Sequence, residues 1–385
     1  MRCAERMEAK VGGFGMNKIL LLTSSRADYG IYLPLIKKFK QFPDAALDIL
    51  AFGTHLSSNH GNTIQQIYED GFEVKHQIDI GIEGDAPIDV SKCYANTVKL
   101  FADFWEFKGG AYRWVLVLGD RFEMAAAVAA GVPFNIPFVH LHAGDTTLGA
   151  IDNMYRHWIT LASKKYYVSL EQHKSKVRDL VGHEHNCYVM GALALDNLSN
   201  LALLTTDEFF EKWQIDLKIP SILITLHPET VAFEKNKTYC AIFQSVLIDL
   251  AKKYQLIITM PNMDTNGQLY RISYEMVKAQ NPAQVQLIEN FGTQSYFTAM
   301  RYAGLALGNT SSGIIEAASF KRYHVNIGDR QNGRVAGENV LHVPFNREEI
   351  LAKVEQFFGK DYSGGNIYFR GGAAELIVKT LFDEE

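Results

Sequence analysis

Seven short segments hold most of the residues that could do chemistry, and nearly all of them directly follow an apolar run. The densest is His140-Leu141-His142-Ala143-Gly144-Asp145, followed by Gly149, Asp152, Arg156 and His157. Histidines and carboxylates clustered in this way suit general acid–base work, because no redox motif or activated nucleophile accompanies them. A metal site is the poorer reading, since an H-x-H pair lacks a third ligand at helix spacing. Upstream, Gly119-Asp120-Arg121 follows the run WVLVL. The Asp can orient a cation or handle a proton, and the Arg can hold an anion through paired hydrogen bonds. Ser24-Ser25-Arg26-Ala27-Asp28-Tyr29-Gly30 follows the first apolar run and leads into a helix expected from Ile31. Free N–H groups and a guanidinium at one helix start favour an anion.

The second half of the chain repeats the arrangement. His227-Pro228-Glu229-Thr230 follows SILITL, and Pro261-Asn262-Met263-Asp264 follows LIITM. Gly308-Asn309-Thr310-Ser311-Ser312-Gly313 opens a predicted helix IIEAASF. Its small residues let backbone N–H groups approach phosphate oxygens, although hydroxyl capping of the helix accounts for them too. Glu316, expected in the first turn of that helix, suits the two vicinal hydroxyls of a ribose. Gly328-Asp329-Arg330-Gln331-Asn332-Gly333-Arg334 places two arginines in one loop, as a lid over an anion requires. The first loop is not G-x-G-x-x-G, so a nicotinamide or flavin loses its usual fingerprint.

The elements that must position these loops are strands alternating with helices. Strands are expected at Lys18–Ser24, Ala46–Phe52, Trp114–Gly119, Pro137–His142 and Lys165–Ser169, with helices such as Ile31–Lys40, Arg121–Ala130 and Met154–Ser163 between them. A second series is expected at Ser221–Leu226, Gln255–Thr259, Val285–Ile288, Gly304–Leu307 and His324–Ile327. Such alternation predicts an α/β chain with two Rossmann-like, doubly wound domains and a cleft between them, the GT-B architecture. The expected division is a leader at 1–16, a first domain at 17–192 carrying the acid–base cluster, a second at 193–365, and a terminal helix within 366–385 crossing back. Ligands of such sheets collect at the carboxyl ends of the strands, where the reactive residues lie.

Composition limits the function. Of 385 residues 47% are apolar, enough for two cores. The 38 basic residues against 43 acidic leave a net charge of −5, a poor match for nucleic acid or an anionic membrane. Four scattered cysteines without a C-x-x-C pair argue against zinc and disulfides and for a reducing compartment. No apolar run reaches the roughly 18 residues of a membrane span, and the start lacks a signal peptide's apolar stretch. A soluble, cytoplasmic protein is expected.

In order along the chain, S-S-R-A-D-Y-G, L-G-D-R-F-E, H-L-H-A-G-D-x-x-x-G-x-x-D, R-H, H-P-E-T, G-N-T-S-S-G-I-I-E and G-D-R-Q-N-G-R resemble the hydrolysing UDP-N-acetylglucosamine 2-epimerases, above all the bacterial enzymes of sialic acid biosynthesis. The resemblance runs from about Lys18 to Val343. It implies loss of UDP from C1 with a proton from C2, then hydration of the resulting 2-acetamidoglucal to N-acetylmannosamine. It implies no cofactor, no metal, and a homodimer or homotetramer. Asp120, His142 and Asp152 fall at the acid–base positions, with Asp145 and Arg121 beside them. Arg26, His227, Asn262, Thr310, Ser311, Glu316 and Arg330 fall at UDP-binding positions. The animal relatives have Glu in place of His142, and many relatives read G-G-E where this chain reads A-G-D. A related branch acts on UDP-2,4-diacetamido-2,4,6-trideoxyglucose, in the legionaminic acid pathway, and the residues leave that alternative open. A GT-B glycosyltransferase and a non-catalytic nucleotide-sugar sensor are further alternatives.

Overall fold

The computed structural model describes residues 18–42, 45–57, 61–82, 84, 86–198, 201–261 and 267–383. The expected leader 1–16 and Asn262 lie outside the described residues. Within them, two separate parallel sheets form. The first contains β1 (Lys18–Thr23), β2 (Ala46–Phe52), β3 (His76–Ile78), β4 (Trp114–Leu118), β5 (Phe138–Leu141), β6 (Ser163–Val168) and β7 (Cys187–Val189), in the order 3-2-1-4-5-6-7. The second contains β8 (Ser221–Thr225), β9 (Gln255–Thr259), β10 (Val285–Ile288), β11 (Leu305–Gly308), β12 (His324–Ile327) and β13 (Val340–Val343), in the order 10-9-8-11-12-13. Each order reverses beside its first strand, between β1 and β4 and between β8 and β11. These are the crevices where a doubly wound sheet takes its ligand.

Around the first sheet lie α1 (Arg26–Phe39), α2 (Ile64–Glu69), α3 (Pro87–Lys108), α4 (Phe122–Gly131), α5 (Asp152–Ala162) and α6 (Glu171–Val181). Then follow α7 (Thr206–Trp213), α8 (Asn236–Leu250), α9 (Gly267–Gln280), α10 (Gly292–Tyr302), α11 (Ser311–Ile315), α12 (Arg347–Phe357) and α13 (Ala373–Phe382). The two Rossmann-like lobes give the GT-B-like architecture expected from the alternating pattern.

Local chemistry explains the element ends. Ile19–Thr23 are buried along β1 because a central parallel strand is covered on both faces. Helix α1 begins at Arg26, not at the expected Ile31. Ser25 and Asp28 form a capping box that satisfies orphan N–H groups five residues earlier. Helix α11 is a single turn, and Glu316 is its C-cap, which corrects the expected first-turn position.

Cores form on both faces of each sheet. On one face of the first, Tyr32, Leu35 and Ile36 of α1 pack with Ala374, Ile377, Val378 and Leu381 of α13. The α13 backbone also accepts hydrogen bonds from Trp114 Nε1, at Leu381 O (2.9 Å), and Lys165 Nζ, at Thr380 O (2.9 Å). A smaller apolar cluster joins the lobes, setting Leu170, Ala192 and Leu195 against Ile314, Ile315, Val340 and Tyr368.

Candidate active site

The carboxyl ends of the two sheets face one another across a cleft of about 970 Å³. Its first-lobe wall includes Arg26, Asp120, Arg121 and Asp152; its second-lobe wall includes His227, Thr310, Ser311, Glu316 and Arg330. Nine of the twelve site residues expected from sequence therefore meet in one cleft. His142 and Asp145 do not line it, and Asn262 is outside the described residues.

On the first lobe, Asp28 fixes the β1–α1 loop. Its carboxylate accepts from the Ser24 amide (2.8 Å) and hydroxyl (2.9 Å) and from Thr23 Oγ1 (2.5 Å). This holds Arg26 at the helix start, where its guanidinium donates to Glu289 O of the other lobe (2.7 Å). The β4–α4 loop is braced by His140, whose ring contacts Gly119 O (2.8 Å) and Thr160 Oγ1 (3.0 Å). Burial pulls the His140 pKa down to about 4, so this imidazole is neutral and structural. Arg121 Nε donates to the fully buried Glu123 at 2.5 Å. Asp120 pairs with Arg156, a residue of α5 whose other guanidinium nitrogen donates to Thr147 Oγ1 (3.2 Å). One buried arginine thus ties the β4 and β5 loops together, and Asp152 stands at the start of its helix.

His142 lies just past β5 with φ of 62°, a left-handed backbone that side chains seldom adopt. Its Nδ1 meets Ser169 Oγ at 3.2 Å, and its Nε2 is buried with no hydrogen-bond partner among the described residues. Burial lowers its pKa to about 4; Asp145 opposes the shift, while Arg334 and His173 add to it. The ring is therefore neutral at pH 7. Asp145 is buried, paired with Arg334 at 2.9 Å and 3.5 Å from His173.

On the second lobe the keystone is Asn309, which is fully buried. Its side chain accepts from His227 N (2.7 Å) and donates to His227 O (2.8 Å), joining the β8 and β11 loops. Its own carbonyl accepts from Gln331 Nε2 (2.9 Å), which brings in the β12 loop. Gly308 before it has φ of 140°, and a Cβ there would stand 1.9 Å from Thr225 O. Glu229, also buried, accepts from the Asp329 amide (2.8 Å), and Arg330 donates to Pro228 O (2.6 Å). Burial raises the Glu229 pKa, with the Asp329 and Arg330 backbone amides opposing. Thr310 caps α11 through Ser312 N (3.4 Å). Burial also pushes Glu316 up to about 7, with Ser312 and Arg334 opposing.

Arg156, Asn309 and Glu229 are supporting residues that the motifs left without a role, and Arg334, expected as a lid over an anion, pairs with Asp145 instead. Each lies inside a segment singled out in the sequence, but its partner lies in another, and Asn309 alone has its role marked locally, between a strand-ending Gly and a helix-capping Thr. Among the described residues no His, Cys, Asp or Glu group is arranged to hold a metal ion, and no helix is long and apolar enough to cross a membrane.

A family model described as UDP-N-acetylglucosamine 2-epimerase matches residues 37–382. The chain belongs to the UDP-N-acetylglucosamine 2-epimerase family. The expected resemblance is thereby borne out, as is the expectation of a hydrolase-type enzyme. Within the family, the chain is 32% identical over 371 residues to the UDP-N,N'-diacetylbacillosamine 2-epimerase (hydrolyzing) of Legionella pneumophila, covering 95% of this chain and 96% of that one. The GDP/UDP-N,N'-diacetylbacillosamine 2-epimerase (hydrolyzing) of Campylobacter jejuni is also 32% identical, over 88% of this chain and 87% of its own. The polysialic acid biosynthesis protein P7 of Escherichia coli is 30% identical over 96% of this chain and 94% of its own. The crystal structure of the Neisseria meningitidis UDP-GlcNAc 2-epimerase bound to UDP-GlcNAc superposes with a TM-score of 0.79 at 18% identity, covering 95% of this chain and all of that one.

Proposed function

We propose that this family member is a hydrolysing 2-epimerase whose substrate is UDP-2,4-diacetamido-2,4,6-trideoxyglucose, the UDP-N,N'-diacetylbacillosamine of its Legionella and Campylobacter relatives. The observation that carries the reaction class is the apposition across one cleft of carboxylates, Asp120 and Asp152, and a nucleotide-type wall, His227, Thr310, Ser311, Glu316 and Arg330. The sugar rests on the names of those two relatives. UDP-N-acetylglucosamine is the second reading, favoured by the description of the family model that matches residues 37–382.

In this mechanism the UDP diphosphate lies against the Thr310–Ser311 amides, with Arg330 and Arg26 as cations, and Glu316 accepts from the ribose hydroxyls. As the C1–O bond breaks, negative charge collects on UDP, and these prepositioned donors stabilise it. The weakly acidic C2 proton needs a positioned base. Asp120 and Asp152 face the cleft for that task, and Arg156 keeps the Asp120 carboxylate turned toward substrate. His142 is neutral and off the cleft wall, and its place in the acid–base set rests on the family resemblance. The elimination yields a glycal; water adds at C1 and a proton returns to C2 on the opposite face. Arg121 stands beside the acid–base pair on the first-lobe wall, the family resemblance assigns Asn262 to UDP, and the assembly in solution is a homodimer or homotetramer.

The test is a proton NMR time course in deuterium oxide with EDTA, using each UDP-sugar in turn. The expected result is free UDP together with the 2-epimeric free sugar bearing deuterium at C2, formed faster from the diacetamido substrate. A faster rate on UDP-N-acetylglucosamine reverses the order of the two sugars. A product that retains UDP, or no reaction with either sugar, overturns the hydrolytic reading.

A further inference from the structure

Asp145 is a buried carboxylate three residues beyond His142, yet its partner belongs to the other lobe. Its Oδ2 lies 2.9 Å from Arg334 Nη2, and the two side chains are 8% and 7% exposed. Around this pair the lobes meet through backbone as well. Leu148 N donates to Asn332 O (2.8 Å), and Ile151 N donates to Thr230 Oγ1 (3.0 Å). A Cβ on Gly149 would sit 2.1 Å from Asp329 O, so only glycine permits this approach. Tyr368 OH donates to Val335 O (2.6 Å), fixing the backbone next to Arg334.

Strand order shows what this contact brackets. Arg26 reaches Glu289 O from the β1 loop to the β10 loop, whereas Asp145 reaches Arg334 from the β5 loop to the β12 loop. Between them lie β4 in the first sheet and β9, β8 and β11 in the second, the strands that carry Asp120, His227 and Thr310. A buried ion pair is a poor source of stability, because desolvation offsets its attraction. Its value is directional, for the full interaction exists in one register of the two lobes only.

Resting on the functional reading above, we infer that Asp145 and Arg334 are positioning residues whose ion pair across the lobes sets the acid–base wall in register with the UDP wall, Asp145 exchanging no proton with substrate. Arg334 lines the cleft, whereas Asp145 is off its wall, and the other contacts of Asp145, His173 at 3.5 Å and the Thr146 amide at 2.8 Å, come from its own lobe.

The test compares Asp145→Asn, Arg334→Met, the double variant and Arg334→Lys by UDP release and by calorimetric UDP binding. Asp145→Asn is expected to lower kcat about 100-fold, as for misplaced reacting groups, with KM and UDP affinity within about threefold. The double variant should be no more than about threefold worse than the worse single one, because both remove the same interaction. Arg334→Lys should recover at least about a tenth of wild-type kcat. Losses that multiply in the double variant, or a normal kcat in Asp145→Asn, overturn the inference. A KM increase confined to Arg334→Met gives Arg334 a substrate contact of its own and also overturns it. If Asp145→Asn does not fold, Asp145→Glu serves with the same expectations. Small-angle scattering with UDP gives a readout independent of turnover: Asp145→Asn should have a larger radius of gyration than wild type, and equal radii count against the pair. Wild-type protein that releases no UDP from either sugar overturns the functional reading alone.

Discussion

The Asp120 carboxylate is a quarter exposed on the cleft wall, and the Arg156 guanidinium that pairs with it is 3% exposed in the protein behind. The acid therefore reaches substrate while its partner does not. Arg156→Met should lower kcat by about 100-fold and leave KM nearly unchanged, because it removes orientation and not binding. Asp120→Asn, which removes the acid itself, should cost about 100- to 10,000-fold in turnover with an unchanged circular dichroism spectrum. Near-normal turnover in purified Asp120→Asn removes it from the mechanism.

Arg330→Ala takes one cation from departing UDP. Loss of about 3 kcal/mol of transition-state stabilisation, roughly 100-fold in kcat, is expected from steady-state UDP release. An effect smaller than about threefold means the side chain serves only to hold Pro228 O.

Glu316 governs a pH dependence. Burial raises its pKa to about 7, so below that pH it is protonated and a poorer acceptor for ribose hydroxyls. UDP affinity should rise by about tenfold from pH 6 to pH 8 as the proton leaves, and Glu316→Gln should flatten that rise. Folding runs the other way. The native state holds this proton more tightly than the unfolded chain, so the Glu316 contribution to stability falls as pH rises through about 7. Calorimetric titration of both proteins across this range checks the sign.

Asn309→Ala leaves the His227 amide and carbonyl without their partners in a buried setting. A loss of about 1–3 kcal/mol in stability is expected, read as a lower denaturant midpoint. UDP binding should weaken about tenfold, since three loops lose their common brace. Unchanged UDP affinity in a destabilised protein confines Asn309 to folding.

Gly308→Ala meets both a backbone conformation hostile to side chains and the Thr225 carbonyl at 1.9 Å. Backbone strain alone should cost about 1–3 kcal/mol, so a lowered unfolding temperature is expected. A variant as stable as wild type shows that the β8–β11 pairing can give way there.

Much of the fold was legible because buried parallel strands announce themselves. Ala46–Phe52, Gln255–Thr259, Val285–Ile288 and His324–Ile327 end where the apolar runs end. The short edge strands were not: His76–Ile78, Cys187–Val189 and Val340–Val343 have three or four residues and little periodicity. The long helix Pro87–Lys108 buries only Cys93, Thr97, Phe101 and Trp105, a narrow stripe within a polar sequence. The site was legible loop by loop, since each motif follows a strand. The supports were not, because Arg156 meets Asp120 and Arg334 meets Asp145 only once distant segments are packed. Glu316 was misplaced within its helix because nothing in IIEAASF marks a one-turn stop.

The docking of α13 on α1 has a consequence for how the protein is made. The second lobe is continuous in the chain, but the first is completed by a segment synthesised after all of the second. A ribosome therefore releases a finished second lobe while the first still exposes the apolar face that Ile377, Val378 and Leu381 will cover. For that interval the nascent chain is most open to chaperones and to aggregation. A stop codon shortly before Ala373 should prolong the interval indefinitely, and the truncated product should partition into the insoluble fraction on expression.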